Sequence, residues 1–383
     1  MDRLLNIVGV VTFATSLFTR SLDPVIPQIA ANLRVETATA ALLSTAFALP
    51  YAVLQPVLGP IADVLGKARV MTVCLVLLTA ASVASAFATS FPLLLGLRMT
   101  SGILSGGIFP AAMALAADLA PVRQRQVALS RILFAAMSGN LLGASAAGIV
   151  GDLIGWRGVF LATGAVGAAA FVAAMVGFRG TVAARAPGAS FRSVPGHYRA
   201  ILVNPRAKVC FGAVFLEGIF IFGVFPYVAL LLLAGGEARA SIAGIVIAAF
   251  SMGGVAYTAA VGRLLDRFGQ RRIMIGGGTM AALALASVAL ETWWPLTVVA
   301  FALLGFGFYL LHGSIQVFMT ELAPAARGAS TALHSSSFFL GQAIGPVLFG
   351  LGFGWLGPHP TLVLAGVAVA LIGVVSAHLL NRI

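Results

Sequence analysis

Charged residues are scarce in this chain. Asp, Glu, Lys and Arg make up 9% of its 383 residues, where a soluble domain carries about 25%. So few cannot clothe a water-facing surface, which excludes a soluble globular protein and sets lipid against most of the exterior. Acidic residues are the scarcest: 11 against 23 basic ones, for a net charge of +12. The basic residues are scattered between apolar runs and form no single face. Membrane topology accounts for them, and no nucleic-acid partner is expected. Cysteine is almost absent. Cys74 and Cys210 show no ligand spacing and no disulfide framework. No compact acidic or histidine motif for a metal is present, nor a nucleophile with its base, nor a nucleotide-binding loop. Neither metal, cofactor nor enzymatic activity is expected, and the energy source is an ion gradient or the solute's own gradient. No cleavable signal peptide is expected at the start, because the first apolar run continues past signal length and reads as a retained helix.

What the chain has in abundance is long apolar runs. A spanning helix needs about 20 mostly apolar residues. By that measure the chain holds twelve segments, near 5–30, 38–58, 70–90, 92–117, 127–150, 158–178, 207–234, 240–261, 273–290, 295–319, 329–354 and 360–380. The expected fold is an all-α polytopic membrane protein with twelve transmembrane helices in two six-helix bundles. Residues 1–178 form the first bundle and 207–383 the second. The stretch 179–206 is polar, rich in Gly and Pro, and carries Arg179, Arg185, Arg192, Arg199 and Arg206; it reads as a linker. With the N-terminus inside, the inner loops and termini hold Arg3, Lys67, Arg69, Arg123, Arg125, Lys208, Arg263, Arg267, Arg271, Arg272, Arg327 and Arg382 besides the linker arginines. The outer loops hold only Arg34, Arg157 and Arg239. That asymmetry predicts both termini in the cytoplasm.

The chain repeats itself. "GPIADVLGKAR" begins at Gly59, and a near-copy, "GRLLDRFGQRR", begins 203 positions later at Gly262. "ADLAPVRQR" from Ala117 and "TELAPAARG" from Thr320 keep the same offset, and "SGNLLGASAAG" echoes "LGQAIGPVLFG" one residue out of phase. Two copies of one unit is a common construction of secondary transporters, with the solute site between the halves near the midplane. Here the loop Gly59, Asp63, Gly66, Lys67, Arg69 resembles motif A of the major facilitator superfamily, and Gly262, Asp266, Arg267, Gly269, Arg271, Arg272 is a fuller version of it. Arg98 and Gly102 in "LRMTSGILSGGIFP" look like the superfamily's fourth-helix motif B, and "GWRGVF", 155–160, is similar to the usual start of its sixth helix. The antiporter motif C is matched only in part: Gly139 and Gly143 are present, but Ala144 stands where that motif has proline, and Pro346 fills the corresponding place in the second half. The resemblance covers nearly the whole chain and is nearest to the bacterial proton-coupled drug and metabolite exporters. It implies a multi-pass protein of the bacterial cytoplasmic (inner) membrane, acting as a monomer on small molecules and protons. It also implies a cytoplasmic latch at the first loop, in which Arg69 bridges Asp63 to Asp118. The alternative for these loops is a basic stretch that only sets orientation.

Ionisable residues inside spans are costly and are functional candidates by default. Arg20 and Asp23 lie three apart in the first segment, close enough to pair on one helix face. Arg98 lies in the fourth segment, Glu217 in the seventh, and His312 and Gln316 in the tenth. In the superfamily layout, which the resemblance implies, these are the cavity-lining helices. Glu217 has no basic residue one helical turn away. An apolar setting disfavours a bare carboxylate, so such an acid can take up and release a proton. A hydrogen-bonded structural glutamate is the bland alternative, as helix packing is for Arg98 and a wall position for His312. His334 and Arg131 are weaker candidates. The expected function is proton-coupled efflux of small amphipathic or hydrophobic compounds by alternating access. The alternatives are a permease or uniporter for a small metabolite, an anionic one included, or for a lipid-like solute, and more remotely a non-transporting membrane receptor.

Overall fold

The computed structural model describes residues 2–121, 124–179, 194–290, 293–322 and 327–380. Arg123, Arg185, Arg192 and Arg382 lie outside the described residues, as do the side-chain surroundings of Gly59, Asp63 and Arg327. The described chain is helical nearly throughout: α1 (Asp2–Arg20), α2 (Ile26–Leu33), α3 (Thr37–Leu65), α4 (Lys67–Ala86), α5 (Phe91–Leu119), α6 (Arg125–Gly177), α7 (Val194–Val203), α8 (Pro205–Phe220), α9 (Val228–Ala234), α10 (Ala240–Val288), α11 (Trp294–Glu321), α12 (Arg327–Trp355) and α13 (Pro358–Leu380). The helix α7 falls within the expected linker.

Among the described residues, ten helical stretches are long and apolar enough to cross a membrane. Two of them, Val127–Gly177 and Ala240–Val288, run to 51 and 49 residues. A straight helix of that length would measure about 75 Å, against about 30 Å of hydrocarbon. Each contains one glycine outside helical geometry, Gly155 at φ 75° in α6 and Gly269 at φ 72° in α10. The packing shows the chain reversing there. Gly139, Gly143 and Gly151 climb along α1 and the turn after it, against Phe13, Leu17 and Val25; Gly167 and Gly177 then descend it against Phe18 and Ile7. In α10, Gly253 and Gly254 climb along α11 against Ala302 and Tyr309, and beyond Gly269 the chain returns with Gly277 against Leu310. Each long helix is therefore a hairpin that turns at its glycine. Gly66, 203 positions before Gly269, turns the first copy of the repeated loop at φ 95°.

The repeat extends to the helix crossings. A Cβ on Gly102 would overlap the carbonyl of Phe47, and one on Gly305 would overlap that of Phe250, both members 203 positions on. Gly139 meets Phe13 as Gly341 meets Phe215, and Gly143 meets Leu17 as Gly345 meets Ile219, at an offset of 202. Small residues let helices approach closely where lipid offers no hydrophobic drive for association. Around this frame the exterior is apolar, with Leu153, Leu283, Leu364 and Trp355 all more than half exposed. Several hydroxyls within the helices are satisfied locally: Thr12, Thr15, Ser85 and Ser101 each donate to the carbonyl four residues back.

The two halves meet along two seams. Where α3 meets α12, Ala38 lies against Gly350, Thr45 donates to the carbonyl of Ala343 (2.7 Å) and Ser336 to that of Ala52 (2.6 Å), while the rings of Tyr51 and Phe339 lie 4.0 Å apart. Where α6 meets α10, Gly148 packs on Ala240 and Gly244 on Ala144. These contacts occupy the middle of the protein and the face opposite the two termini, called here the distal face. On the terminal face, among the described residues, three pairs lie within one half: Lys67 with Asp118, Asp2 with Arg131 and Arg271 with His378. Tyr198 of α7 does cross, its hydroxyl donating to the carbonyl of Pro56 (2.7 Å).

Candidate functional site

The first helix of each half is interrupted at the same level. After α1 the chain passes through a 3-10 turn, Asp23–Val25, before α2; after α8 it passes through another, Phe222–Tyr227, before α9. Pro24 in one turn and Pro226 in the other cannot continue an α-helical hydrogen-bond ladder. Non-helical backbone at membrane depth is tolerated where protein buries it, and transporter sites are commonly built at such breaks.

Arg20 and Asp23 sit at the first break. Nη1 of Arg20 lies 3.3 Å from Oδ2 of Asp23, and Nη2 donates to Oε1 of Gln342 at 2.6 Å. The guanidinium also lies over the rings of Phe222 (4.9 Å) and Phe225 (4.6 Å). Asp23 is 1% exposed and takes a second hydrogen bond from Ser44 Oγ at 3.0 Å. A lone buried ion would cost tens of kcal/mol; here carboxylate, amide, hydroxyl and two aromatic faces share the load. The cavity beside Arg20 is about 20 Å³, room for a single water and far from the several hundred Å³ of a ligand pocket. The seam is closed at this level. Arg98 is also buried, near enough to Asp23 to feel its charge, with Nη1 donating to the carbonyl of Phe18 (3.3 Å) and its guanidinium over the ring of Phe47 (4.5 Å).

Glu217 heads a second cluster. It is 0% exposed, and its Oε2 lies 2.7 Å from Nδ1 of His312 on α11. Nε2 of His312 lies 3.3 Å from Nε2 of His334 on α12. Glu217 Oε1 and His334 Nδ1 are buried with no hydrogen-bond partner among the described residues. Aromatic rings part the two clusters: Phe222, under Arg20, packs on Phe308 and Phe338, and both of those contact the ring of His312. Gln316, one turn from His312, is exposed.

At the first repeated loop, the partner of Asp118 is Lys67, which is buried, and not Arg69, which is exposed. Gly66 ends α3, so Lys67 opens α4. Positions two apart in a helix point to nearly opposite faces. This ion pair joins α4 to α5 within one half. In the second copy Asp266 and Arg272 are exposed, and Gly262 has open space where a Cβ would stand.

The Major Facilitator Superfamily sequence model matches residues 8–238 and 211–382, nearly the whole chain. The chain belongs to this superfamily. It is a multi-pass membrane transporter, not an enzyme. The transporter is 26% identical to the multi-drug resistance efflux pump PmrA homolog of Lactococcus lactis subsp. lactis (strain IL1403), over 79% of this chain and 76% of that protein. It is 26% identical to a chloramphenicol resistance protein of Streptomyces lividans, over 89% and 86%. With the quinolone resistance protein NorA of Staphylococcus aureus (strain MRSA252) it shares 23% identity over 91% and 89%. In fold it is similar to a D-xylose-proton symporter, with TM-score 0.78, 16% identity and coverage of 99% and 97%. A bacterial homolog of the human lysosomal transporter Spinster, solved inward-facing and unoccupied, gives TM-score 0.75 at 18% identity, over 100% of this transporter and 95% of that chain.

The structure adds residues that sequence reasoning missed or ranked low. Gln342 and Ser44 complete the first cluster, and His334 completes the second. Gln342 carried a signal of its own, as an amide inside an apolar run between Gly341 and Gly345, but those glycines read as packing.

Proposed function

We propose that this transporter couples proton movement to the export of small amphipathic or hydrophobic compounds. The halves 1–178 and 207–383 rock about the seams between α3 and α12 and between α6 and α10. The termini and the linker 179–206 face the cytoplasm of a bacterial inner membrane. One observation carries the reading: a fully buried carboxylate, Glu217, whose described hydrogen-bond partner is a histidine and not a fixed cation. An acid held this way is able to change its protonation, and a change of charge at so buried a site biases which side opens. The efflux pumps among the relatives favour export over import.

The second reading, a permease for an anionic metabolite, draws on Arg20 and Arg98. Arg20 is engaged by Asp23 and Gln342 and Arg98 by the Phe18 carbonyl and the Phe47 ring, so an anion would have to displace those partners.

The test is transport in proteoliposomes under an imposed pH gradient, with amphipathic fluorescent dyes and a panel of organic anions. Wild-type protein accumulates dye against its gradient, whereas Glu217→Gln exchanges dye but does not accumulate it. Full proton-driven accumulation by Glu217→Gln removes Glu217 from the mechanism, and proton-independent movement of an anion alone overturns the reading.

A further inference from the structure

The second cluster is a chain of three groups, and its order along the membrane normal is informative. Glu217 lies twelve residues into α8 from the terminal face, about 18 Å deep. His312 lies nine residues from the end of α11, about 14 Å deep. His334 lies seven residues into α12, about 10 Å deep. Oxygen to nitrogen is 2.7 Å and nitrogen to nitrogen 3.3 Å, so the line steps from the buried acid toward the terminal face with a hydrogen bond at each step. At its outer end, His334 Nδ1 has no partner among the described residues although it is buried. An imidazole in such a line has two tautomers, and each satisfies the chain in one direction only.

We infer that His334 and His312 form a relay that carries protons between the terminal face and Glu217. This rests on Glu217 being the coupling acid. Before the step, Glu217 is ionised, His312 carries its proton on Nδ1 and donates to Glu217 Oε2, and His334 carries its proton on Nε2 and donates to His312 Nε2. A proton from water binds His334 Nδ1. The His334 Nε2 proton passes to His312 Nε2, and the His312 Nδ1 proton passes to Glu217 Oε2. One proton has entered and one has reached Glu217; both rings are neutral again in the opposite tautomers, and every link is still bonded. Running the step backwards releases the proton to the same face. Tyr51, Tyr257 and Tyr309, in the surrounding aromatic cluster, are phenols that stay protonated near neutrality. Cys210 lies two turns down α8 among apolar side chains, and Arg20 is held by Asp23 and Gln342 beyond Phe222.

His334→Gln separates a relay from a structural tie. The Gln amide can donate a hydrogen bond to His312 but cannot take a proton at one end and give one up at the other. Protonation of Glu217 after a pH jump is followed by the infrared band of its carboxylic acid, assigned by its loss in Glu217→Gln. The relay predicts that His334→Gln slows this step about a hundredfold with an unchanged final amplitude, and that added imidazole restores part of the rate in His334→Ala. Protonation at the wild-type rate in His334→Gln overturns the inference. If His334→Gln fails to fold, His334→Asn is measured in its place under the same criterion. The readout needs no substrate. Retained proton-driven transport in Glu217→Gln would therefore sink the coupling role, while the pH-jump rates judge the relay.

Discussion

Nη2 of Arg20 donates a 2.6 Å hydrogen bond to Oε1 of Gln342, a residue 322 positions away in the other half. Arg20 lies over Phe222 and Phe225, which stand 202 positions beyond Arg20 and Asp23 themselves. Equivalent places in the two repeats thus face each other across the seam, charged on one side and aromatic on the other. The internal symmetry is kept in the backbone and broken in the chemistry.

Gln342→Leu leaves a guanidinium donor unpaired at the closed seam, at a cost of about 1–3 kcal/mol. Because the bond spans both halves, the loss favours the form open on the distal side. The readout is maleimide labelling of Ala144→Cys, at a position buried against Gly244, in a chain with Cys74 and Cys210 replaced by alanine. Labelling is expected to rise by roughly 5- to 150-fold.

Asp152 guards the other seam. Its carboxylate, at the distal end of the first arm of α6, accepts from the backbone N–H groups of Ala240 (2.8 Å) and Ser241 (2.9 Å), the first residues of α10. A carboxylate at a helix N-terminus satisfies orphan donors and complements the dipole. Asp152→Ala loses about 1 kcal/mol of closed-seam stability. Labelling of Ala144→Cys is expected to quicken about fivefold, with Asp152→Asn in between.

Asp23→Asn strands the buried charge of Arg20, a loss of about 3–5 kcal/mol. The thermal midpoint in detergent is expected to fall sharply. The double variant Arg20→Gln/Asp23→Asn removes both charges and recovers most of that loss. A double variant no more stable than Asp23→Asn alone would show that the pair is not the unit that matters.

Gly102→Ala and Gly305→Ala each drive a methyl into a backbone carbonyl, of Phe47 and Phe250 respectively. Each is expected to lower stability by about 1–3 kcal/mol. Gly96→Ala, with nothing within 4 Å of the new methyl, serves as the neutral comparison, and thermal unfolding separates the three.

The sequence by itself determined the solvent, the all-helical fold class and the duplication. Scarce charge and twenty-residue apolar runs are local properties, and a repeat is legible wherever the same turn glycine recurs, as Gly66 and Gly269 do. It also named the groups worth watching, since a lone charge in an apolar run is conspicuous without any structure. Which of those groups meet was decided only by the tertiary structure. Gln342 reaches Arg20 because α12 crosses against α3 and α8, and His334 reaches His312 because α11 and α12 bring the two rings together. Lys67 displaced Arg69 as the partner of Asp118 by the way α4 starts after Gly66. Hydrogen bonds between helices depend on the rotation of each helix about its own axis, and that rotation is set by close packing at distant glycines, which no local pattern records.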